Sequence, residues 1–266
     1  VWIMAYTTID DPTIYFNTKL YTGNGSARTI TGVGFQPDWV WVKDRSNANF
    51  HYVYDSVRGN NLNLFTNSSS EEVNVTTGQN GGGIGSQASD GFNIVAGNVN
   101  TDNVNTNSNN YVSWNWLATG STASNSNGDI TSTVSANTTA GFSIVSYTGT
   151  GANATVGHGL GAAPSWIIIK GRSFNEHWQV YHKSLGATKF TELSESSAAS
   201  TNSNRFNDTD PTASVFTIGT KDAVSKSSGT LIAYCFAEKK GYSKFFQYEG
   251  NSNSDGSYIH LGFKPA

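Results

Sequence analysis

The sequence predicts an all-β protein made of two tandem antiparallel β-sandwich domains. Its apolar residues come in short runs of aromatic and β-branched residues, each bounded by clusters of Gly, Asn, Ser and Asp, which is typical of sandwich strands. No segment has the extended apolar period of a long helix. One stretch occurs twice, because residues 32–46 read GVGFQPDWVWVKDRS and residues 159–173 read GLGAAPSWIIIKGRS. The offset between residues 32 and 159 is much longer than the ~20 to 50 residues of a solenoid repeat. It therefore indicates a duplicated domain.

Each copy begins with a predicted strand that ends in a Tyr-Thr-Gly turn, at 21–23 and 147–149. Glycine suits this turn because it adopts positive φ without steric cost. A proline then precedes the strands 39–42 and 166–169 and fixes the angle at which they begin. Further strands are predicted at 50–55, 62–65, 92–94 and 111–116, and at 177–182, 189–193, 216–218 and 231–236. Polar segments are predicted as loops at 74–90, 98–110 and 196–212.

The repeat also predicts where the domains begin and end. The closing segment matches the start of both copies, since FQYEGNSN (246–253) corresponds to KLYTGNGS (19–26) and GFKP (262–265) corresponds to GFQP (34–37). Two compact domains are the expected count for 266 residues. The predicted parts are an N-terminal arm (1–12), a first sandwich (13–119), a linker or edge strand (120–140), a second sandwich (141–238) and the first strands of a third repeat (239–266).

Composition narrows the classes of partner. Charged residues make up 13% of the chain and the net charge is −3, so there is no basic stripe of the kind that binds nucleic acid. No apolar run approaches the 18 residues or so of a membrane-spanning helix, and we expect no membrane insertion. Cys235 is the only cysteine, which excludes an intrachain disulfide. With no recognisable signal peptide, the sequence predicts synthesis in a reducing cytoplasm.

Several strings of the sequence resemble an uncharacterised repeat module of structural proteins from marine tailed bacteriophages. These strings are MAYTTIDDP, YTGNGS, GFQPDWVWVKDRS, DSVRG, AGFSIVSYTGTGANATVGHGLGAAP, VYHKSLGA and AYCFAEKKGYSKFFQYEGN, and they cover nearly the whole chain. The resemblance implies concanavalin-like or jelly-roll sandwiches in a virion-associated protein of a tail fibre or other host-facing appendage. Such proteins usually carry a complete third copy, so the resemblance implies that its remainder is absent from this sequence, cleaved, or supplied by another subunit. It brings no established active site.

Asp55 and Arg58, in the segment DSVRG, have two interpretations. On a loop rim their side chains can hydrogen-bond sugar hydroxyls; alternatively they form an ion pair that stabilises a turn before Gly59. His182 and Leu185 stand near the corresponding positions of the second copy, so the architecture does not require these charges. Aromatic residues near loop ends can stack on a sugar ring. The predicted ligand-binding set therefore comprises Tyr52, Asp55, Arg58 and Trp178.

Metal sites are not predicted. His177 and His182 are the nearest pair of histidines, but their spacing places them on opposite faces of a strand, and a transition metal needs further ligands. Calcium needs only oxygen ligands, whereas Asp also forms turns by accepting bonds from its own backbone. We favour the turn interpretation and predict no cofactor. The loop aspartates that could bind Ca²⁺ are Asp90, Asp102, Asp208 and Asp210.

Catalysis is not predicted either. A glycosidase needs two carboxylates about 5 to 9 Å apart, and no acidic residue recurs between the copies in a strand flanked by aromatic residues. The Gly-x-Ser-x-Gly motif of a serine nucleophile is also absent from the sequence. We therefore expect a protein that is not an enzyme.

Three functions remain open at the level of the sequence. The first is a virion structural protein, displayed on a phage particle as a homo-oligomer with other virion proteins, whose loops bind host-surface glycans. The second is a purely structural sheath, filament or decoration protein, completed by strand exchange between subunits at its exposed edges. The third is the carbohydrate-binding domain of a hydrolase, which would require an acid pair near Trp178.

Overall fold

The computed structural model describes residues 7–75, 82–97 and 103–265, and it confirms the all-β prediction. The described residues form nineteen strands, two helices of four residues each and one 3-10 turn, Pro12–Ile14. We call residues 7–119 the first half, 120–238 the second half and 239–265 the C-terminal segment. None of the helices in the described ranges is long and apolar enough to cross a membrane.

The first half consists of a six-stranded sheet and a three-stranded sheet, both antiparallel. Its strands are β1 Phe16–Thr22, β2 Arg28–Thr31, β3 Trp39–Asp44, β4 Tyr52–Asp55, β5 Leu62–Phe65, β6 Val73–Asn74, β7 Gly83–Ala88, β8 Gly91–Val95 and β9 Asn110–Trp116. The large sheet has the order β1-β9-β3-β4-β5-β6, and the small sheet has the order β2-β8-β7.

The second half repeats this order and adds two strands at one edge. Its strands are β10 Ala123–Asn125, β11 Ser132–Asn137, β12 Phe142–Thr148, β13 Ala154–Gly157, β14 Trp166–Gly171, β15 Gln179–His182, β16 Lys189–Glu192, β17 Ser200–Thr201, β18 Val215–Ile218 and β19 Thr230–Phe236. The helices are α1 Ser203–Phe206 and α2 Asp222–Ser225. The large sheet has the order β10-β11-β12-β19-β14-β15-β16-β17, and β13 pairs with β18.

The two large sheets pack against each other, so each is covered on both faces over part of its area. Side chains alternate along β3: Val40 and Val42 enter the core of the first half, and Trp39 enters a central core shared with Phe142, Tyr234 and Phe236. In β14, Ile167 and Ile169 likewise face the core of the second half, while Ile168 faces the central core. Burial of both faces explains why these strands are continuous apolar runs.

Corresponding turns of the two halves are bonded alike. The hydroxyl of Tyr21 donates to Val104 O at 2.7 Å, and the hydroxyl of Tyr147 donates to Val224 O at 2.8 Å. Backbone bonds match as well, since Arg45 N bonds to the first residue of β9 and Arg172 N bonds to the first residue of β19. In each half the tyrosine of β1 or β12 is thereby bonded to the segment before the last strand, and the residue after β3 or β14 is bonded to the start of that strand.

The polar loops contain more regular structure than the sequence predicts. Strand β7 lies inside the predicted loop 74–90, because Asn63 accepts a bond from Ile84 N at 3.0 Å and donates to Ile84 O at 2.8 Å. The close approach at this point suits glycine, since a Cβ on Gly83 would lie 2.6 Å from Val75 Cγ1. The predicted linker contains β10 and β11, and α1 lies in the loop 196–212. The loop residues 76–81 and 98–102, and residues 1–6 of the arm, lie outside the described residues.

The C-terminal segment has no regular strand in its described residues 239–265, apart from an isolated bridge between Lys239 and Ser243. This differs from the first strands of a third repeat expected there. In both halves the strand with the Tyr-Thr-Gly turn pairs with the last strand of its own half, β1 with β9 and β12 with β19. Residues 239–265 include no counterpart of that last strand. The stretch around Tyr248, which matches the Tyr-Thr-Gly strand in sequence, therefore has no such strand to pair with inside the segment.

Candidate functional site

The structure buries all four residues of the predicted ligand-binding set. The side chains of Tyr52, Asp55, Arg58 and Trp178 lie inside the protein, with at most 6% of any residue exposed. Trp178 Nε1 donates to Phe65 O at 2.8 Å, across the boundary between the halves. No sugar-binding rim exists at these positions, because Tyr52 lies in the core of the first half, whereas Asp55, Arg58 and Trp178 lie where the two large sheets pack on each other.

Asp55 and Arg58 form an ion pair that closes the turn after β4. Arg58 Nε donates to Asp55 Oδ2, and the backbone N–H groups of Val57 and Arg58 donate to Asp55 Oδ1 at 3.1 and 2.8 Å. Arg58 Nη2 also donates to Val53 O at 2.9 Å. The chain then turns at Gly59, whose φ of 99° is in the left-handed region that favours glycine.

This ion pair is the centre of a buried network that joins the halves. The Tyr234 hydroxyl donates to Asp55 Oδ2 at 2.6 Å, and burial raises the pKa of Tyr234 well above its usual range, so the hydroxyl keeps its proton. Arg58 Nη1 donates to Glu72 at 3.1 Å, and Arg172 binds the same carboxylate through two bonds of 3.0 Å. Each charge is paired, as burial of ionised groups requires.

Lys170 is a second buried charge between the halves. Its Nζ donates to Ser69 O of the first half at 3.1 Å and to Gly171 O at 3.0 Å. Burial lowers its pKa to about 8, because desolvation disfavours the ammonium form. Together with the Asp55 network, Lys170 shows that the polar residues of this interface serve the packing of the two sheets.

Two of the aspartates considered for calcium accept hydrogen bonds from distant parts of the chain. Asp90 accepts from Gly32 N at 2.9 Å and Gly34 N at 2.6 Å, and these bonds lower the pKa of its carboxyl group. Asp210 accepts from the Tyr181 hydroxyl at 3.1 Å. In the ranges that the structure describes, no three His, Cys, Asp or Glu residues lie close enough to hold a metal ion.

The other residues that were considered as metal ligands or catalytic acids also lie apart from one another. Asp208 lies in a turn with φ 48°, and Asp102 lies outside the described residues. His177 contacts Ser194 and Glu195, away from His182 at the far end of β15. The acid nearest to Trp178 in sequence, Glu176, forms an ion pair of 3.7 Å with Lys221.

A surface loop between β3 and β4 is organised by the buried Asp44. Asp44 Oδ1 accepts from Ser46 N at 2.7 Å and Asn47 N at 3.1 Å. Asp44 Oδ2 accepts from the side-chain amides of Asn49 at 2.8 Å and Asn109 at 3.0 Å. Four bonds to one carboxylate hold the loop in a fixed shape while residues 45–48 stay exposed.

Phe50, at the end of this loop, is an aromatic ring held at the surface. It is 45% exposed and stacks on Phe65, with 4.8 Å between ring centroids and 28° between planes. Exposed rings beside amide groups can stack on the C–H face of a sugar while the amides bond its hydroxyls. The predicted set contains Tyr52, two residues later, and not Phe50, although an aromatic residue at the end of the Asn-rich string RSNANFH was the available signal.

An apolar cavity of about 200 Å³ lies where the large sheets meet the C-terminal segment. Phe16 and Trp116 of the first half face Phe142 and Phe236 of the second, and Phe245 of the segment closes one side. The lining offers few polar partners, so this space suits apolar groups only. It continues the central core and has no feature of a catalytic site.

Comparison with known proteins identifies the family but no characterised relative. Residues 11–266 match a family described as Domain of unknown function (DUF7483). The chain belongs to this family. No curated protein and no solved structure matches the sequence. The DUF7483 match covers both halves and the described C-terminal segment together.

Proposed function

We propose that this DUF7483 protein is a non-enzymatic structural protein of a bacteriophage particle, part of a tail fibre or other surface appendage that binds host glycans. In this proposal its halves are tandem copies of one sandwich unit. The matching strand order and the matching bonds of Tyr21 and Tyr147 support the duplication. Synthesis takes place in the host cytoplasm, and other virion proteins are the partners that anchor it.

Glycan binding is supported chiefly by one observation, the exposed ring of Phe50 on the rigid loop that Asp44 organises. A platform that is already ordered loses little conformational entropy on binding. The surrounding Asn and Ser side chains supply neutral donors and acceptors for hydroxyl groups. The low charge of the chain favours an uncharged ligand such as a neutral glycan.

A single stacking contact is weak, so the proposal includes a homo-oligomer. Several copies on one appendage present several platforms to one cell surface, and linked weak sites gain avidity. A fibre or appendage also needs its domains to keep a fixed arrangement. The buried Asp55 network between the halves supplies this rigidity.

The test is binding of labelled protein to a glycan array and to whole bacterial cells. Wild type is expected to bind at least one glycan class, and Phe50→Ala is expected to weaken that binding at least tenfold. Ile14→Ala is the matched control, because Ile14 is exposed to a similar extent, 47%, but lies in the 3-10 turn before β1. Binding that Ile14→Ala weakens as much as Phe50→Ala contradicts the assignment of Phe50, and absence of binding to every glycan and cell contradicts adhesion.

A purely structural role is the second candidate, and the arrangement of β1 favours it. Within the described residues β1 is the edge strand of its sheet, whereas its counterpart β12 is covered by β11. An open edge can accept a strand from a neighbouring subunit, and the C-terminal segment has no regular strand in its described residues. Electron microscopy of concentrated protein tests this: ordered polymers in which the C-terminal segment is inserted in the next subunit favour the structural role.

A further inference from the structure

The outer faces of the two large sheets carry corresponding rows of residues. In the first half the register aligns Thr18, Trp114 and Trp41 in one row and Leu20, Val112 and Lys43 in the next. In the second half the same rows contain Ile144, Tyr234 and Ile168, then Ser146, Ile232 and Lys170. Residues paired across strands lie on the same face of a sheet, so each row is one line of side chains on the outer face.

Burial of these rows differs sharply between the halves. In the second half Ile144, Tyr234, Ile168, Ile232 and Lys170 are at most 1% exposed, because the first half covers them, and Ser146 at the margin is half-buried. In the first half the corresponding surface is more open: Leu20 is 59% exposed, Thr18 is exposed, and Trp41, Lys43 and Trp114 are half-buried. Val112, between Leu20 and Lys43, is 9% exposed. We call Thr18, Leu20, Trp41, Lys43 and Trp114 the open face.

The open face is continuous with the central core. Trp41 packs against that core, and its ring meets Trp114 edge to face at 5.8 Å. Trp41 Nε1 is buried and finds no acceptor within the part of the chain that the structure describes. In the second half the same row contains a polar tip with a partner across the interface, because the Tyr234 hydroxyl bonds to Asp55. An indole N–H without an acceptor is costly when buried, and Trp39 Nε1 of the central core likewise finds none among the described residues.

The interface between the two halves indicates which kind of surface binds such a face. The buried rows of the second half receive β3, β4 and β5 of the first half, through Trp39, Val53 and Leu64. The counterparts of those three strands are β14, β15 and β16, which follow the same order in the second sheet. A further surface that fits the open face is therefore the part of the outer face of these strands around Trp166 and Thr191 in another molecule. Ile168 and Lys170 of β14 are already covered by the first half.

That second surface is only loosely covered in one molecule. Phe246 and Tyr248 of the C-terminal segment lie over Trp166, His182 and Thr191, leaving a cavity of about 370 Å³. Their other sides stay exposed, 37% for Phe246 and 65% for Tyr248. The surface thus presents aromatic rings outward, as the open face does.

Charges of opposite sign lie on the two surfaces. Lys43 lies in the open face and the exposed Arg45 borders it. Glu195 and the exposed Glu249 lie on the β15–β16 side and in the adjoining C-terminal segment, together with the exposed Lys189 of β16. The internal interface has the same polarity, since Arg172, the counterpart of Arg45, binds Glu72 of the first half. Opposite charges at an interface margin favour the correct orientation of the partners.

We propose that the open face binds the second half of another copy of this chain, through the Trp166 end of β14, through β15 and β16, and through the C-terminal segment that lies over them. The contact joins two different surfaces, so it is heterologous and builds a ring or a filament. It deepens the proposed function, because avidity rests on several copies, and its test measures assembly without glycan. Phe50→Ala leaves this assembly intact, so either proposal can fail alone.

The first experiment measures self-association of the full chain by sedimentation velocity over a wide range of protein concentration. Wild type is expected to associate, and Leu20→Asp is expected to weaken association at least tenfold by placing a carboxylate in the contact. Ile14→Asp is the control, since Ile14 is similarly exposed outside the open face. A wild type that stays monomeric throughout, or an equal loss in both variants, overturns the proposal.

The second experiment determines which surfaces meet. Cys235 is buried, so single cysteines at the surface react alone. A mixture of Leu20→Cys and Tyr248→Cys chains is expected to form the mixed disulfide dimer under mild oxidation, and Tyr258→Cys, 90% exposed on the same segment, serves as the control in place of Tyr248→Cys. Preferential dimers of Leu20→Cys with itself indicate a two-fold contact and overturn the heterologous arrangement.

Discussion

The two halves of the molecule bond their turns alike, through Tyr21 and Tyr147, but they differ in what covers their large sheets. The second half has its outer face closed by the first half, whereas part of the corresponding face of the first half is open. The residues follow this difference, because Asp55 and Arg58 of the internal interface are replaced by His182 and Leu185 at the corresponding positions of the second half. The place of each half in the molecule therefore determines which residues stand at these positions. The sandwich fold itself does not require the Asp55–Arg58 pair.

The largest expected effect tests that difference directly. Asp55→Ala leaves the Arg58 guanidinium buried without its main partner and removes the acceptor of the Tyr234 hydroxyl. We expect the free energy of unfolding to fall by about 3 to 5 kcal/mol, the usual cost of breaking a buried ion pair. His182→Ala, at the corresponding half-buried position, should cost about 0.5 kcal/mol. Denaturant unfolding of both variants measures this, and similar losses would contradict the asymmetry.

The Tyr-Thr-Gly turn provides a three-way comparison. A Cβ on Gly23 would lie 1.9 Å from Thr106 O, and a Cβ on Gly149 would lie 2.4 Å from Lys226 O. Because both obstacles are backbone atoms, Gly23→Ala and Gly149→Ala should each lower the free energy of unfolding by about 2 to 3 kcal/mol. Gly250, at the same place in the C-terminal segment, has open space around it.

The matched control is Gly250→Ala, which should change stability by no more than about 0.5 kcal/mol. Thermal and denaturant unfolding of the three variants provides the comparison. If Gly250→Ala were as costly as the other two, the C-terminal segment would be packed in the same way as the two halves.

Lys170 gives the third effect, a dependence of stability on pH. Its pKa is about 8 in the folded protein, so between pH 8 and its ordinary pKa near 10.5 the unfolded chain holds a proton that the folded chain has lost. Stability from this group therefore rises with pH in that window, by about 1.4 kcal/mol per unit at most. The difference in unfolding free energy between wild type and Lys170→Met, measured at pH 7, 8 and 9, should change in favour of wild type. The titration of Cys235 and the tyrosines cancels in this difference, and a constant difference would contradict the burial of Lys170.

The sequence predicts the strands better than it predicts their partners. Trp39 to Val42 and Trp166 to Ile169 were identified as strands because β-branched and aromatic runs after a proline have few other conformations. Strand β7 is not predicted because it contains Gly83 and Gly85, and glycine is depleted in strands. Both glycines leave room for neighbouring side chains, those of Val75 and Val95. The packing of one large sheet on the other leaves no local pattern, since it depends on residues more than 100 positions apart.

The same dependence on distant residues explains why the predicted binding residues are buried in the structure. Asp55 and Trp178 bond to Tyr234 and Phe65, which are distant in sequence. Arg58 pairs with the nearby Asp55 and Glu72, and only Glu72 links it to Arg172 of the second half. Charged and aromatic residues at a loop end have the same sequence pattern whether the loop faces solvent or another sheet. Phe50 differs from them only in its burial, which is a property of the folded molecule.

The smallest expected effect tests whether the two halves are equivalent where both are covered. Tyr21→Phe and Tyr147→Phe each remove one bond to a valine carbonyl, of 2.7 and 2.8 Å, and should each lower the free energy of unfolding by about 1 kcal/mol. The double variant should show the sum, because the two sites lie in different cores. Denaturant unfolding resolves losses of this size. If Tyr21→Phe cost nothing while Tyr147→Phe cost the expected amount, the likeness of the turns would be one of shape alone, and the covered second half would contribute most of the stability.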